Sequence, residues 1–169
     1  MKIYMRTALL IAIMITLCVC VAGLHSEAWA ETGKNTVIPI DPKGLEAIIK
    51  NRDCPLLIVA MASWCAPCRA ELPTLQKLHE TYGAKGLKII GVSLDVGGPS
   101  AIQPLVDKMN LTFPIYWGGE KVTTAFGISG IPLIMVAKNG KIIENILGRR
   151  PEKVLINKVV SLLGECGSK

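Results

Sequence analysis

Histidine is scarce in this chain: His25 and His79 are the two among 169 residues. One Cys-x-x-Cys pair is present, but neither a second pair nor a histidine cluster stands at ligand spacing, so a zinc site is excluded and no metal is expected. The basic residues, Lys43, Lys50, Lys77, Lys85, Lys108 and Lys121 among them, form no run or stripe. No recognition motif accompanies them either, which excludes nucleic acid as a partner. Internal repeats, low-complexity tracts and interdomain linkers are also missing, so solenoid and multidomain organisations fall away. What is left is one ordinary domain of roughly 100–150 residues. Its chain is 50% apolar and 19% charged, as a globular protein with a real core requires.

The apolar weight is uneven. Lys2 and Arg6 precede an apolar run over 8–24 that is broken only by Thr16, and Ala28-Trp29-Ala30 follows. That order of basic, apolar and small-x-small segments reads as a secretory signal peptide over 1–30. The run is also close to the about 20 residues that cross a bilayer, so an uncleaved membrane anchor is the alternative. Leu17 and Val19, before Cys18 and Cys20, are too large for a lipidation site. Either reading expects the domain outside the cytoplasm, in a bacterial periplasm, soluble or held at the inner membrane. Without Lys2, Arg6 and Glu27 the formal charge falls from +6 to +5. Four cysteines stay: Cys54, Cys65, Cys68 and Cys166. An even count outside the cytosol permits disulfides.

Beyond a flexible lead-in over 31–35, the pattern predicts a strand over 36–40. A helix follows, N-capped by Asp41 with Pro42 at its first position. It carries Leu45, Ile48 and Ile49 on one face and ends near Asn51. The unbroken apolar run Leu56-Leu57-Ile58-Val59-Ala60-Met61 suits a central strand covered on both faces. A helix then runs to about Tyr82, with Leu72, Leu75, Leu78 and Tyr82 at helical spacing and Pro73 expected to kink it. Further strands are expected over 87–94 and 113–117, with helices over 100–109 and 121–126. Strands over 133–137 and 141–147 are joined by Asn139-Gly140, the strongest two-residue hairpin signal. A last helix runs from Pro151 to about Leu163, and 165–169 is a tail. The fold class is α/β, with a mixed central sheet flanked by helices.

Trp64-Cys65-Ala66-Pro67-Cys68 places two cysteines at a strand-to-helix junction. Cys65 falls at the helix N-terminus, where unpaired N–H groups and the macrodipole favour an anion. It is therefore expected as the nucleophile, and Cys68, one turn further in, as the resolving cysteine of a Cys65–Cys68 redox disulfide. Pro67 stiffens the first turn, and Trp64 offers an apolar shoulder to substrates. The dithiol itself carries the electrons, so no cofactor is expected.

Ser63-Trp64-Cys65-Ala66-Pro67-Cys68-Arg69-Ala70-Glu71-Leu72-Pro73 resembles the thioredoxin superfamily, and more closely its exported TlpA/ResA branch. Gly130-Ile131-Pro132-Leu133 is similar to the family's cis-proline loop, and Val92-Ser93-Leu94-Asp95 to inserted material of that branch. The resemblance covers most of 36–164 and implies a thioredoxin-like domain there. It also implies a cis Ile131–Pro132 bond, with the backbone at Ile131 pairing with a bound substrate chain. Val59 stands where small thioredoxins hold a buried Asp. Glu71, six residues after Cys65, matches the glutamate of the exported branch and is expected to take the proton from Cys68.

In this fold Gly148 is expected either to border the substrate groove and permit close backbone approach, with Arg149 in reach of a partner, or to form a plain loop. Tyr116 and Trp117 read as core, and His79 as helix surface. In the same fold Cys54 and Cys166 reach the pole opposite the dithiol. A structural Cys54–Cys166 disulfide is thus one reading, and a frayed Gly-rich tail the other. The resemblance implies reduction of disulfides in protein substrates such as apocytochrome c, with a membrane electron donor of the thiol-transfer type. Oxidation or isomerisation of exported proteins is the alternative. Thiol peroxidase chemistry needs a Thr three residues before its cysteine, where Ala62 stands, and copper delivery needs a CxxxC spacing and a distal histidine.

Overall fold

The computed structural model describes residues 35–164 and 166. The expectations for 1–30, including a membrane anchor over 8–24, lie outside these residues. Among the described residues no helix is long and apolar enough to cross a membrane. The strands are β1 (Ile38–Pro39), β2 (Leu56–Met61), β3 (Lys88–Ser93), β4 (Ile115–Trp117), β5 (Leu133–Lys138) and β6 (Lys141–Leu147). The helices are α1 (Pro42–Lys50), α2 (Ala66–Tyr82), α3 (Pro99–Lys108), α4 (Gly119–Ala125) and α5 (Glu152–Leu163).

All six strands form one sheet in the order β1-β4-β3-β2-β5-β6. β1, β4, β3 and β2 run parallel, while β5 and β6 are antiparallel to their neighbours. The two-residue side-chain period of β2 divides the core. Leu57, Val59 and Met61 face α2, α3 and α5, through Leu72, Leu75, Ile102, Val106, Leu155 and Val159. Leu56, Ile58 and Ala60 face α1 and α4, through Leu45, Ile49 and Val122. Covered on both faces, β2 has every residue buried, which is why its sequence shows no alternation.

Local signals acted where they were expected. Asp41 caps α1 by accepting the Gly44 N–H at 2.7 Å. Asn139 and Gly140 both take positive φ, 51° and 74°, as a type I′ hairpin turn demands. β1 is shorter than the sequence predicts. Pro39 has no N–H to give, and the Val37 N–H goes to the Gln103 side chain instead of a strand. Asn35, expected in the flexible lead-in, is pinned: its amide donates to the Leu111 and Phe113 carbonyls at 2.9 and 2.7 Å. His79 is not plain helix surface, because its half-buried ring meets Phe113 edge-on at 6.0 Å. Helix α2 continues through Pro73. The missing proline N–H leaves the Arg69 carbonyl without its donor one turn on, at the solvent-facing side.

Candidate active site

β2 delivers the chain to a tight loop, and α2 starts one residue after Cys65, which is its N-cap with extended backbone (φ −78°, ψ 100°). Cys65 and Cys68 form a disulfide, with Cα atoms 5.3 Å apart. The Cys65 Sγ accepts the Cys68 N–H at 3.2 Å, so one unpaired donor of the helix start points at this sulfur. Both cysteines are almost wholly buried, whereas Trp64 beside them is 67% exposed. Ala66 and Pro67 form an exposed first turn.

The loop carrying Ser63 and Trp64 is fixed from the end of β3. The buried Asp95 carboxylate accepts the Ser63 N–H at 3.0 and 3.1 Å, the Ser63 hydroxyl at 2.6 Å and the Ser93 hydroxyl at 2.8 Å. Its main-chain carbonyl accepts the Trp117 indole N–H at 2.6 Å. In the sequence Asp95 stands only within the resembling segment Val92-Ser93-Leu94-Asp95, with no role assigned to it. The signal available was an acidic residue directly after a buried strand.

Glu71 lies one turn beyond Cys68 and is 1% exposed. Its Oε1 accepts the Arg150 backbone N–H at 2.8 Å, and Oε2 meets no partner among the described residues. Burial pushes this carboxyl above its ordinary value of 4.5. The Arg150 N–H and the charges of Arg149 and Arg150 pull the other way without cancelling it.

Just before β5, whose Leu133 pairs with Ala60 near the end of β2, the Ile131–Pro132 bond is cis. Pro132 is buried and Ile131 half-buried, packed against both halves of the core. The Pro132 carbonyl accepts the Gly148 N–H at 2.8 Å, and Gly148 has a φ of 83°, which a residue with a Cβ rarely adopts. The cis loop and the end of β6 are thereby tied together. Of the residues singled out from sequence, Trp64, Cys65, Ala66, Pro67, Cys68 and Glu71 share the start of α2. Ile131, Pro132 and Gly148 form the facing wall, which reaches Glu71 through Arg150.

Cys54 and Cys166 lie elsewhere, before β2 and after α5. They form a second disulfide, with Cα atoms 5.4 Å apart. No group of His, Cys, Asp or Glu among the described residues could hold a metal ion.

Residues 40–158 match the family model described as AhpC/TSA. The chain is 30% identical over 95 residues to "Thiol-disulfide oxidoreductase ResA" of Bacillus thuringiensis (strain Al Hakam), covering 55% of this chain and 54% of that protein. It is 37% identical over 89 residues to the protein of the same name from Oceanobacillus iheyensis, covering 52% and 46%. The chain thus spans about half the length of these curated relatives. A thiol:disulfide interchange protein of the thioredoxin family from Chlorobium tepidum TLS superposes with a TM-score of 0.62 at 22% identity, over 70% of this chain and 85% of that one. That likeness bears on the fold, which is thioredoxin-like. The chain belongs to the AhpC/TSA family, and its curated relatives include thiol–disulfide oxidoreductases of the ResA type.

Proposed function

We propose that this protein is an extracytoplasmic thiol–disulfide oxidoreductase that reduces disulfides in protein substrates, apocytochrome c being the class the resemblance implies. The observation that carries this reading is the Cys65–Cys68 disulfide at the N-terminus of α2. In the reduced protein the Cys65 thiolate, favoured by the Cys68 N–H and the helix dipole, attacks one sulfur of the substrate disulfide. The other substrate sulfur leaves as a thiolate and takes up the proton that Cys65 released. Cys68 then gives its proton to Glu71 and attacks Cys65 in the mixed disulfide. The second substrate sulfur departs and is protonated in turn. Two electrons and two protons have moved to the substrate, and Cys65–Cys68 is oxidised. A thiol-transfer donor at the membrane would restore it.

The Ile131 backbone would pair with the substrate chain, and Trp64, Ala66, Pro67 and Gly148 would line its path. Residues 1–30 would export the domain, over 36–164, as a cleaved signal or a retained anchor. Peroxide reduction is less well supported. Ala62 has no hydroxyl to offer, and the nearby Ser63 hydroxyl is committed to Asp95.

The direction of electron flow is tested by the Cys65–Cys68 potential in a dithiothreitol or glutathione buffer. Potentials on this fold run from about −270 to −120 mV, and a reductase requires a value toward the first. A value near the second would make the protein an oxidase. Cys68→Ser, lacking the resolving thiol, is expected to accumulate a mixed disulfide with its substrate.

A further inference from the structure

The rim of the dithiol is basic on both sides, and two of its three arginines are held in place. Arg69, on the exposed side of the first turn of α2, donates a guanidinium N–H to the Ser63 carbonyl at 3.4 Å, next to Trp64. Arg150 on the facing wall donates to the Leu147 carbonyl at 3.0 Å. Arg149 stands between Arg150 and Gly148, exposed like both other arginines. None of the three is in an ion pair among the described residues.

The carboxylates that could neutralise this rim are engaged elsewhere. Glu71 is buried and held by a backbone N–H, Asp95 is buried under three donors, and Glu152 pairs with Lys77 at 2.6 Å. Apolar surface is exposed between the charges: Trp64 at 67% on one side and Leu147 at 52% on the other. None of these five side chains exchanges an electron or a proton in the reaction at sulfur, although the charges of Arg149 and Arg150 act on Glu71.

We propose that this rim selects substrates whose cysteines lie in an extended segment with an apolar residue and neighbouring Asp or Glu side chains. The inference rests on the reductase reading above and adds the chemistry of the substrate. Planar guanidinium groups pair bidentately with carboxylates, and fixing them beforehand lowers the ordering cost of binding. Complementary charge at a rim acts mainly on the encounter rate and is screened by salt.

The test uses the reduced protein and three short peptides, each closed by one disulfide whose cysteines are flanked by Glu, Gln or Lys. At low salt the Glu peptide should be reduced about tenfold faster than the Lys peptide, with Gln between them. In about 0.5 M salt the contrast should shrink to about twofold or less. Arg69→Gln with Arg149→Gln should lower the low-salt contrast by at least about threefold. Lys85→Gln with Lys88→Gln removes the same net charge at the opposite pole and should leave the contrast intact. Equal rates for all peptides, or an equal loss in the lysine variant, would overturn the inference and leave the reductase reading standing. Failure to reduce any peptide, and the neutral bis(2-hydroxyethyl) disulfide as well, would overturn both.

Discussion

Glu71 is a carboxyl in an apolar setting, with one oxygen on a backbone N–H and the other without a protein partner. Burial raises its pKa above 4.5, so the folded protein holds this proton more tightly than the unfolded chain does. Its contribution to stability is therefore fully present below 4.5 and is lost as pH rises through the folded-state value. Glu71→Gln removes the titration. The melting temperature of the variant should gain on that of the natural protein as pH climbs from 4.5, read by paired thermal scans. In the proposed mechanism Glu71 takes the proton of Cys68, so the same substitution should slow resolution of a mixed disulfide by roughly 10²-fold. Rapid-quench measurement of the second step, separate from the first, would read that loss. An unchanged second step would remove Glu71 from the proton path.

At the scale of elements, the dithiol depends on a junction between β2, β3 and α2. The helix start supplies the electrostatics, but its loop is held by Asp95 at the end of β3, which orients three donors on Ser63 and Ser93. Asp95→Ala would leave those donors unpaired in a buried site. Each such loss costs about 1–3 kcal/mol, partly relieved by water, so a fall of about 2–4 kcal/mol in urea denaturation is expected. A change within about 0.5 kcal/mol, the ordinary range for surface substitutions, would show that the loop is held by other contacts. On the facing wall, the Gly148 N–H on the Pro132 carbonyl and the Arg150 N–H on Glu71 join the end of β6 to the cis loop and to α2. The short stretch 148–150 thus holds both the cis loop and Glu71.

For the whole molecule, the second disulfide joins the chain before β2 to the chain after α5. β2 climbs six residues from the Cys54 end to the active-site loop, about 20 Å at strand rise, so Cys54–Cys166 closes the far pole. Gly86 passes over it with a φ of 103°, its Cβ position 3.5 Å from both sulfurs. The Cys166 N–H donates to the Leu163 carbonyl at 2.9 Å, a local turn after α5, and the disulfide links that turn to Cys54. A link across 112 residues should stabilise by about 5 kcal/mol in the chain-entropy model. Cys54→Ala with Cys166→Ala should lower stability by about that amount in guanidinium unfolding and leave the Cys65–Cys68 potential unmoved. A shifted potential would mean that the two poles are coupled.

What the sequence determined by itself was what short-range chemistry dictates. The run of β2, the Asp41 cap, the Asn139-Gly140 turn and the spacing of Cys65 and Cys68 each depend on a few neighbouring residues. Tertiary structure decided the contacts that join distant segments. Asp95 reaches Ser63 across 32 positions and Arg150 reaches Glu71 across 79, and no local pattern records either pairing. It also decided the fate of Cys166. Nothing in its neighbours assigns Cys166 a partner, and it pairs with Cys54 because α5, packed through Leu155, Val159 and Leu162, ends nearby. The arginine rim belongs to the same class. Arg69 and Arg149 are scattered charges along the chain, and they become one surface only when β6 turns back beside the cis loop.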